Sequence, residues 1–517
     1  MHRKPMAIRA TILLVMVCLM GKAQIYFNKR IDFYGRANMA FTITKKDNGH
    51  YYIHGETNDS LTSVEKNTIC LIDSAGNVLM KKAVNPGSTT LYYPTYSSSS
   101  VLDSISNIIY TPVTASYTYG CQYAAIIEYN LSGDTQKIFT FGDTAHITAS
   151  GKLHKIKNGW LYATSMGPKH SPYNYKMKLF ALDSLFNVKW SNLYGPNGFG
   201  NVCTDMLRYN NGDNFLVGYQ NTISSSLQST ILVKTDSLGN QKWIKYYSNV
   251  WYKGPTITKL QDGNLLISTT YLDSMSFNFA SQYTQTNLIK IDTAGNVIWS
   301  KLYQYPTNLN FAAKCIELTD KSLIILTTEG GWTGSNCATQ RVIAVIMKTD
   351  SMGNQIFYHT YTGDAYDITA YNYLFDIVQM PDKGFLATGF VAPNCDGTSW
   401  DAWILRVDSM GCEFQRGCAL FTGINGNYEN SLQLEAFPNP TSGVLTVNYQ
   451  INGPACDAAT LQLYELSTGR ILLAKSVPCD ETQTTFDLKE LPPGIFALSI
   501  RSDGSAPRTI RIVKIQQ

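Results

Sequence analysis

Few side chains in this chain of 517 residues are typed and spaced for chemistry. No G-x-S-x-G elbow, P-loop, H-E-x-x-H pair or G-x-G-x-x-G turn occurs, and only seven histidines are present. His50 and His54 share a predicted strand, whose rise sets them about 13 Å apart, too far to chelate one ion. They read as an ordinary solvated strand face. Asp262-Gly263-Asn264 and its equivalents bring fewer oxygens than the roughly six to eight a calcium ion takes, so they read as turns. Asp205 and Asp376 stand in predicted inner strands, with Lys314 at an equivalent position. Carboxylates there are candidates for ligand binding or, in an enzyme, for general acid and base work. Trp332 and Trp400 lie where the chain is least repetitive, and loop aromatics of this kind stack on sugars or grip a partner. The sequence assigns no catalytic residue, metal or cofactor.

The elements that must position these residues come from a repeated phrase, I-K-x-D-S-x-G-N-x-x-W-x-K-x-Y. It runs from Leu232 to Tyr247, Leu288 to Tyr303 and Ile346 to Tyr361, with weaker copies elsewhere. Its aspartate slot holds Asp73, Asn130, Asp183, Asp236, Asp292, Asp350 and Asp408. The regular spacing marks seven consecutive units, each too small to hide its own core. Each phrase is two strands joined at a tight turn. Asp236 accepts nearby backbone N–H groups, Ser237 and Leu238 suit a type I turn, and Gly239 supplies the left-handed residue of a bulge. Phe186 replaces that glycine after Asp183, which predicts a different closure there. A second corner lies upstream of most copies, as at Asn48-Gly49, Asn158-Gly159, Asn211-Gly212, Asp262-Gly263 and Lys383-Gly384. Four strands per unit and no amphipathic helix predict an all-β, seven-bladed β-propeller with long b–c loops. The tryptophans of the phrase, Trp190, Trp243 and Trp299, are expected to pack blade on blade.

The last copy lacks its W-x-K-x-Y strand, whereas Ile25 to Tyr34 resembles an isolated one. That segment is expected to complete blade seven and close the ring, leaving no long free edge. Residues 1–23 read as a secretory signal: Arg3, Lys4 and Arg9, an apolar run from Thr11 to Met20, then Gly21-Lys22-Ala23. Met16 and Val17 do not suit a lipidated Cys18, and no stretch reaches the ~20 apolar residues of a membrane span. Removing Arg3, Lys4, Arg9 and Lys22 from 42 basic residues leaves 38, equal to the 38 acidic ones. Nothing in that balance points to nucleic acid. Of the 11 cysteines, Cys412 and Cys418 would close a short loop, and Cys456 with Cys479 would join paired strands of the tail. Cys337 and Cys395 occupy matching loops, and pairing is open for them. Cys70, Cys121, Cys203 and Cys315 fall in apolar runs as buried thiols.

After a Gly/Asn-rich linker (422–431) the period changes, and residues 432–517 alternate as a small antiparallel β-sandwich of Ig-like build. Its landmarks are Pro438-Asn439-Pro440 with Gly443, then Leu466-Ser467-Thr468-Gly469-Arg470. Leu488, Leu491 and Pro492-Pro493-Gly494-Ile495-Phe496 follow, and Arg511-Ile512-Val513-Lys514 closes the series. In order, spacing and position these resemble the type A C-terminal sorting domain of type IX secretion substrates. The resemblance implies export to the periplasm and recognition of the tail by the outer-membrane secretion machinery. The product is then secreted or held at the surface of a Gram-negative bacterium. The turn serines and threonine, Ser74, Ser184, Ser237, Thr293, Ser351 and Ser409, are also similar to the O-glycosylation sequon of that secretory lineage.

The resulting expectation is a signal peptide (1–23), a propeller (24–421), a linker and a sorting domain. Together they form an exported, non-enzymatic binding or adhesion module for an unknown surface glycan or protein. The alternatives are a secreted hydrolase or lyase with its site in the propeller channel, and a purely structural surface protein. Aromatics ringing the channel mouth would favour binding, and clustered carboxylates would favour the enzyme.

Overall fold

The computed structural model describes residues 26–33, 37–58, 65–84, 90–93, 99–117, 122–143, 145–169, 174–221, 228–250, 254–272, 284–303, 311–312, 314–331, 341–363, 370–393, 400–413, 432–451, 458–465, 471–502 and 508–515. The chain divides into two compact units, 1–413 and 414–517. The expected signal peptide and linker, Trp332, Cys121, Cys337, Cys395, Cys418, Cys456 and Gly469 lie outside the described residues.

The first unit is built as the repeat predicts. Blade four shows the pattern: strand a (Gly200–Arg208), b (Asn214–Asn221), c (Gln228–Thr235) and d (Gln241–Val250) pair antiparallel in that order. The innermost strands contact one another in a closed cycle of seven. They are Ala37–Lys45, Val101–Asp103, His146–Ile156, Gly200–Arg208, Thr256–Lys259, Lys314–Glu317 and Tyr371–Gln379, and the last returns to the first. The fold is therefore a β-propeller whose inner strands line a central channel. Alternation within each strand sends one set of apolar side chains towards each neighbouring blade. Clusters such as Phe215, Val217, Leu232, Ile267 and Ile289 accordingly form between blades.

The ring closes as the chain ends suggest. Phe27–Ile31 pairs antiparallel with Asp401–Val407, from Phe27 opposite Arg406 to Ile31 opposite Ala402. It supplies strand d of blade seven. The Trp403 indole N–H, fully buried in that blade, donates to Asn28 Oδ1 at 2.7 Å.

The c–d turns follow their predicted chemistry. Asp236 Oδ1 accepts the N–H groups of Leu238 and Asn240, each at 2.9 Å, and Gly239 sits at φ +84°. The hairpin after Asp183 does not close differently. Phe186 takes the glycine's place at φ +65°, and its N–H reaches the Asp183 carbonyl at 3.2 Å. A bulky residue is strained there. Burial offsets the strain, because Phe186 stacks on Trp160 (5.3 Å) and meets Tyr110 and Phe139 of blade two.

The second unit packs a three-stranded sheet against a four-stranded one. Leu445, Val447, Leu461, Leu463, Phe486, Leu498 and Ile512 fill the space between them.

Candidate functional site

Much of the repeated phrase is consumed by the scaffold. In strand d, the tyrosine hydroxyl donates to the turn-glycine carbonyl of the next blade. The bonds are Tyr194 to Gly239 (2.7 Å), Tyr247 to Gly295 (2.9 Å), Tyr303 to Gly353 (2.6 Å) and Tyr361 to Gly411 (2.5 Å). Lys245 and Lys301 reach Asn296 and Asn354 of the same turns. Trp190, Trp243 and Trp299 press against the turn glycines, as expected of blade-packing residues. The basic residue before the turn pairs within its own blade: Lys234 with Asp213 (3.2 Å), Lys290 with Asp262 (2.5 Å) and Arg406 with Asp382 (2.5 Å). Asp262 also accepts the Asn264 N–H at 2.9 Å, as a turn residue does.

His50 and His54 do not share a solvated face. His50 is partly exposed and bonded to Asp47 at 2.8 Å, whereas His54 is buried between blades one and two, with Nδ1 3.2 Å from Thr111 Oγ1. A b strand is covered on both sides, and this burial pushes the His54 pKa down to about 3. Among the described residues, no group of three or more His, Cys, Asp and Glu side chains is placed to hold a metal. Cys70, Cys203 and Cys315 are buried free thiols, and burial pushes the Cys70 thiol up to about 12. Cys412 and Cys479 are disulfide-bonded.

Asp205 and Asp376 lie on inner strands three blades apart and do not meet. Each is buried and accepts three donors. Asp376 Oδ2 accepts the Ile43 N–H of blade one at 2.8 Å, and its Oδ1 accepts the Ile377 N–H at 2.8 Å and the Lys314 ammonium of blade six. Asp205 repeats the arrangement with the N–H groups of Ile257 (3.0 Å) and Met206 (2.8 Å) and with Lys152 (3.3 Å). Asp376 and Lys314, assigned equivalent slots from sequence, are thus direct partners.

Beside Asp376 the structure gathers aromatic rings. Tyr371, Tyr373 and Phe375 alternate along the inner strand of blade seven and are half-buried. Phe375 stacks with Phe41 of blade one at 5.4 Å, and Tyr373 with Phe390 at 5.1 Å. Trp400 continues the series, its ring 5.2 Å from Phe390 and 28° from parallel. The Trp400 carbonyl accepts the Asn38 N–H at 2.7 Å, which ties the b–c connection of blade seven to blade one. The indole Nε1 is buried without a hydrogen-bond partner. Because a–b and c–d turns occupy one end of every blade, this wall lies towards the other end, where b–c and d–a connections emerge.

In the second unit the sequence landmarks converge. Asn439 Oδ1 accepts the Val513 N–H at 2.8 Å, and Thr441 bridges to Lys514 in parallel register. The Gly443 carbonyl accepts the Leu488 N–H at 3.0 Å, and Gly494 pairs opposite Lys514. Pro438 and Pro440 follow cis peptide bonds, and Pro493 is exposed beside Gly494. Lys514 is buried, donating to the carbonyls of Lys489 (2.8 Å) and Leu491. Residues 435–515 match the family described as "Secretion system C-terminal sorting domain". The tail is a type IX sorting domain.

A chain carrying this sorting domain is secreted or attached at the cell surface. No described helix is long and apolar enough to cross a membrane. No curated protein matches the chain. Similar solved structures include an α-L-arabinanase of Penicillium chrysogenum, at 11% identity and TM-score 0.38 over 63% of this chain and 99% of that one. A PL25 ulvan lyase aligns at 10% identity and TM-score 0.37 over 81% and 91%. A Dyadobacter fermentans protein of unknown function aligns at 10% and 0.38 over 62% and 100%. The strand pairings, rather than these distant likenesses, define the propeller that precedes the sorting domain.

Trp400 stands out in the sequence by itself, whereas its neighbours do not. Tyr371, Tyr373 and Phe375 alternate in Y-N-Y-L-F, which is the signal of one aromatic strand face. Their departure from the other inner strands, such as Asn201 to Met206, distinguishes them.

Proposed function

We propose that the propeller is an extracellular binding module and that the wall of Tyr371, Tyr373, Phe375, Phe390 and Trp400 is its ligand platform. The observation that carries this reading is a half-buried aromatic series ending in an indole N–H with no partner. Aromatic faces stack on the C–H faces of sugars or on apolar side chains, and a buried donor without an acceptor is costly until something satisfies it. Trp332, which lies outside the described residues, stays a second candidate ligand contact on the sequence argument alone. Asp205 and Asp376 serve as supports, since their oxygens already accept three donors each. The domain plan of signal 1–23, propeller 24–421, linker 422–431 and sorting domain 432–517 belongs to this reading. So do the pairs Cys412–Cys418 and Cys456–Cys479, supported by the oxidised state of Cys412 and Cys479. The c–d turn hydroxyls of Ser184, Ser237, Ser351 and Ser409 are exposed, with Ser74 and Thr293 half-exposed, which suits O-glycosylation.

A glycan and protein-ligand array probed with the purified full-length chain tests the proposal. Saturable binding lost in Trp400→Ala or Trp332→Ala supports it. Polysaccharide turnover abolished by Asp376→Asn would replace it with the hydrolase or lyase reading.

A further inference from the structure

One arrangement occurs twice around the channel. Lys152 of blade three, Asp205 of blade four and the Ile257 N–H of blade five form one copy. Lys314 of blade six, Asp376 of blade seven and the Ile43 N–H of blade one form the other. The residues just before those N–H groups, Thr256 and Thr42, carry buried hydroxyls without partners. In each copy the carboxylate already accepts three donors. The ammonium has three donors, of which one goes to the aspartate. Lys152 and Lys314 keep 29% and 32% of their side-chain exposure and stand on the inner strands that border the channel. The exposed hydrogen-bonding capacity left unused at this level is therefore cationic N–H.

Position adds to chemistry. Phe375 immediately precedes Asp376 where the register of the inner strand shifts, and both reach blade one, Phe375 at the Phe41 ring and Asp376 at the Ile43 N–H. A sugar ring stacked on the wall would bring a substituent at its edge to the ammonium. We propose that this corner of the channel is a subsite for the anionic group, carboxylate or sulfate, of an acidic saccharide. Lys314 is its primary ligand, and Lys152 offers the same group across the channel. Charge-assisted hydrogen bonds are shorter and roughly twice as strong as neutral ones, which would select an acidic sugar over its neutral counterpart. The proposal rests on the aromatic wall being the ligand platform.

Titration calorimetry on the purified full-length chain with two matched pairs tests it: trigalacturonate against its methyl ester, and dextran sulfate against dextran. The acidic member of at least one pair should bind about tenfold or more tighter than the neutral one, and which pair responds identifies the anionic group. Lys314→Gln should erase that difference and Lys314→Arg should retain it, while Lys189→Gln on an outer strand should change nothing. If Lys314→Gln does not fold, Lys152→Gln and the arginine variant carry the comparison, with weakened acid selectivity in the former expected. Equal binding of acidic and neutral probes, still lost in Trp400→Ala, would overturn the subsite and leave the platform standing. Acid-selective binding untouched by Trp400→Ala would overturn the platform and, with it, this placement of the subsite. Absence of binding to all four probes would overturn the subsite.

Discussion

The Tyr303 hydroxyl donates at 2.6 Å to the carbonyl of Gly353, a residue in the next blade. The two belong to different halves of the repeated phrase, so each blade's strand d closes on the turn of its successor. A β-carbon on Gly353 would lie 2.9 Å from that hydroxyl, and the backbone there is at φ +77°. Glycine is thus required twice, for conformation and for contact. Tyr303→Phe should cost about 1 kcal/mol, the worth of one ordinary hydrogen bond. Gly353→Ala should cost about 2 kcal/mol or more through left-handed strain and displacement of the tyrosine. Chemical denaturation of both variants checks the order.

The closing strand uses the same latch. Phe27 packs on Gly76, and Lys29 donates to the carbonyls of Ala75 (3.0 Å) and Gly76 (3.3 Å). Phe27 and Lys29 therefore occupy the W and K slots of the phrase, though Ile25 to Tyr34 belongs to no complete copy. Phe27→Ala should destabilise the propeller by about 3 kcal/mol, as large-to-small core changes do. The Asp401–Val407 edge should then exchange its amides before the other blades do. Hydrogen exchange read blade by blade measures this. Uniform loss of protection around the ring would contradict it.

The scaffold was legible because its rules are local and repeated: turn aspartate, left-handed glycine and alternating strands. What lay across blades was not legible. Phe186 looks like a broken turn because its compensation comes from Trp160, Tyr110 and Phe139, none of which is in its own hairpin and only the first of which is in its own blade. His54 looked solvated because an alternating strand normally has a wet face, whereas a b strand in a propeller has a blade on each side. Asp376 and Lys314 occupy equivalent slots in the sequence, but only ring geometry turns such slots into partners. The aromatic wall was half visible, as Trp400, since the remaining rings are recognised by how their blade differs from its siblings.

Burial makes blade one pH-sensitive in two opposing directions. His54 is pushed down to about 3 and His359 of blade six to about 4, both by burial. Their folded values lie below the unfolded one, so the stability they contribute is present above about pH 6.5 and is lost as pH falls towards 3. Glu56 is pushed up to about 8, by burial first and by the nearby Glu65 second. Its folded value lies above the unfolded one near 4.5, so its contribution is present below that pH and is lost as pH rises through 8. The melting temperature should therefore peak near pH 6.5, falling below it as the two histidines lose their contribution and above it as Glu56 does. Glu56→Gln should remove the alkaline decline and leave the acid one. An unchanged alkaline limb in that variant would sink the assignment.

Lys514, in the last landmark of the sorting domain, joins two others at one corner. Its ammonium is buried and caps the carbonyls of Lys489 and Leu491, while its backbone faces Gly494 and Thr441. Lys514→Met keeps much of the volume but leaves two carbonyls without their donor, at about 1–3 kcal/mol for such a group. The cost falls on the corner formed by Asn439, Gly443 and Gly494, whereas the propeller is a separate compact unit. Export and ligand binding should therefore separate. In cell fractionation, Lys514→Met should shift protein from the surface and medium to the periplasm. Chain recovered from the periplasm should still bind whatever ligand the unaltered chain binds, with unchanged affinity. Normal surface delivery of a Lys514→Met chain whose tail is measurably destabilised would show that secretion does not read this corner.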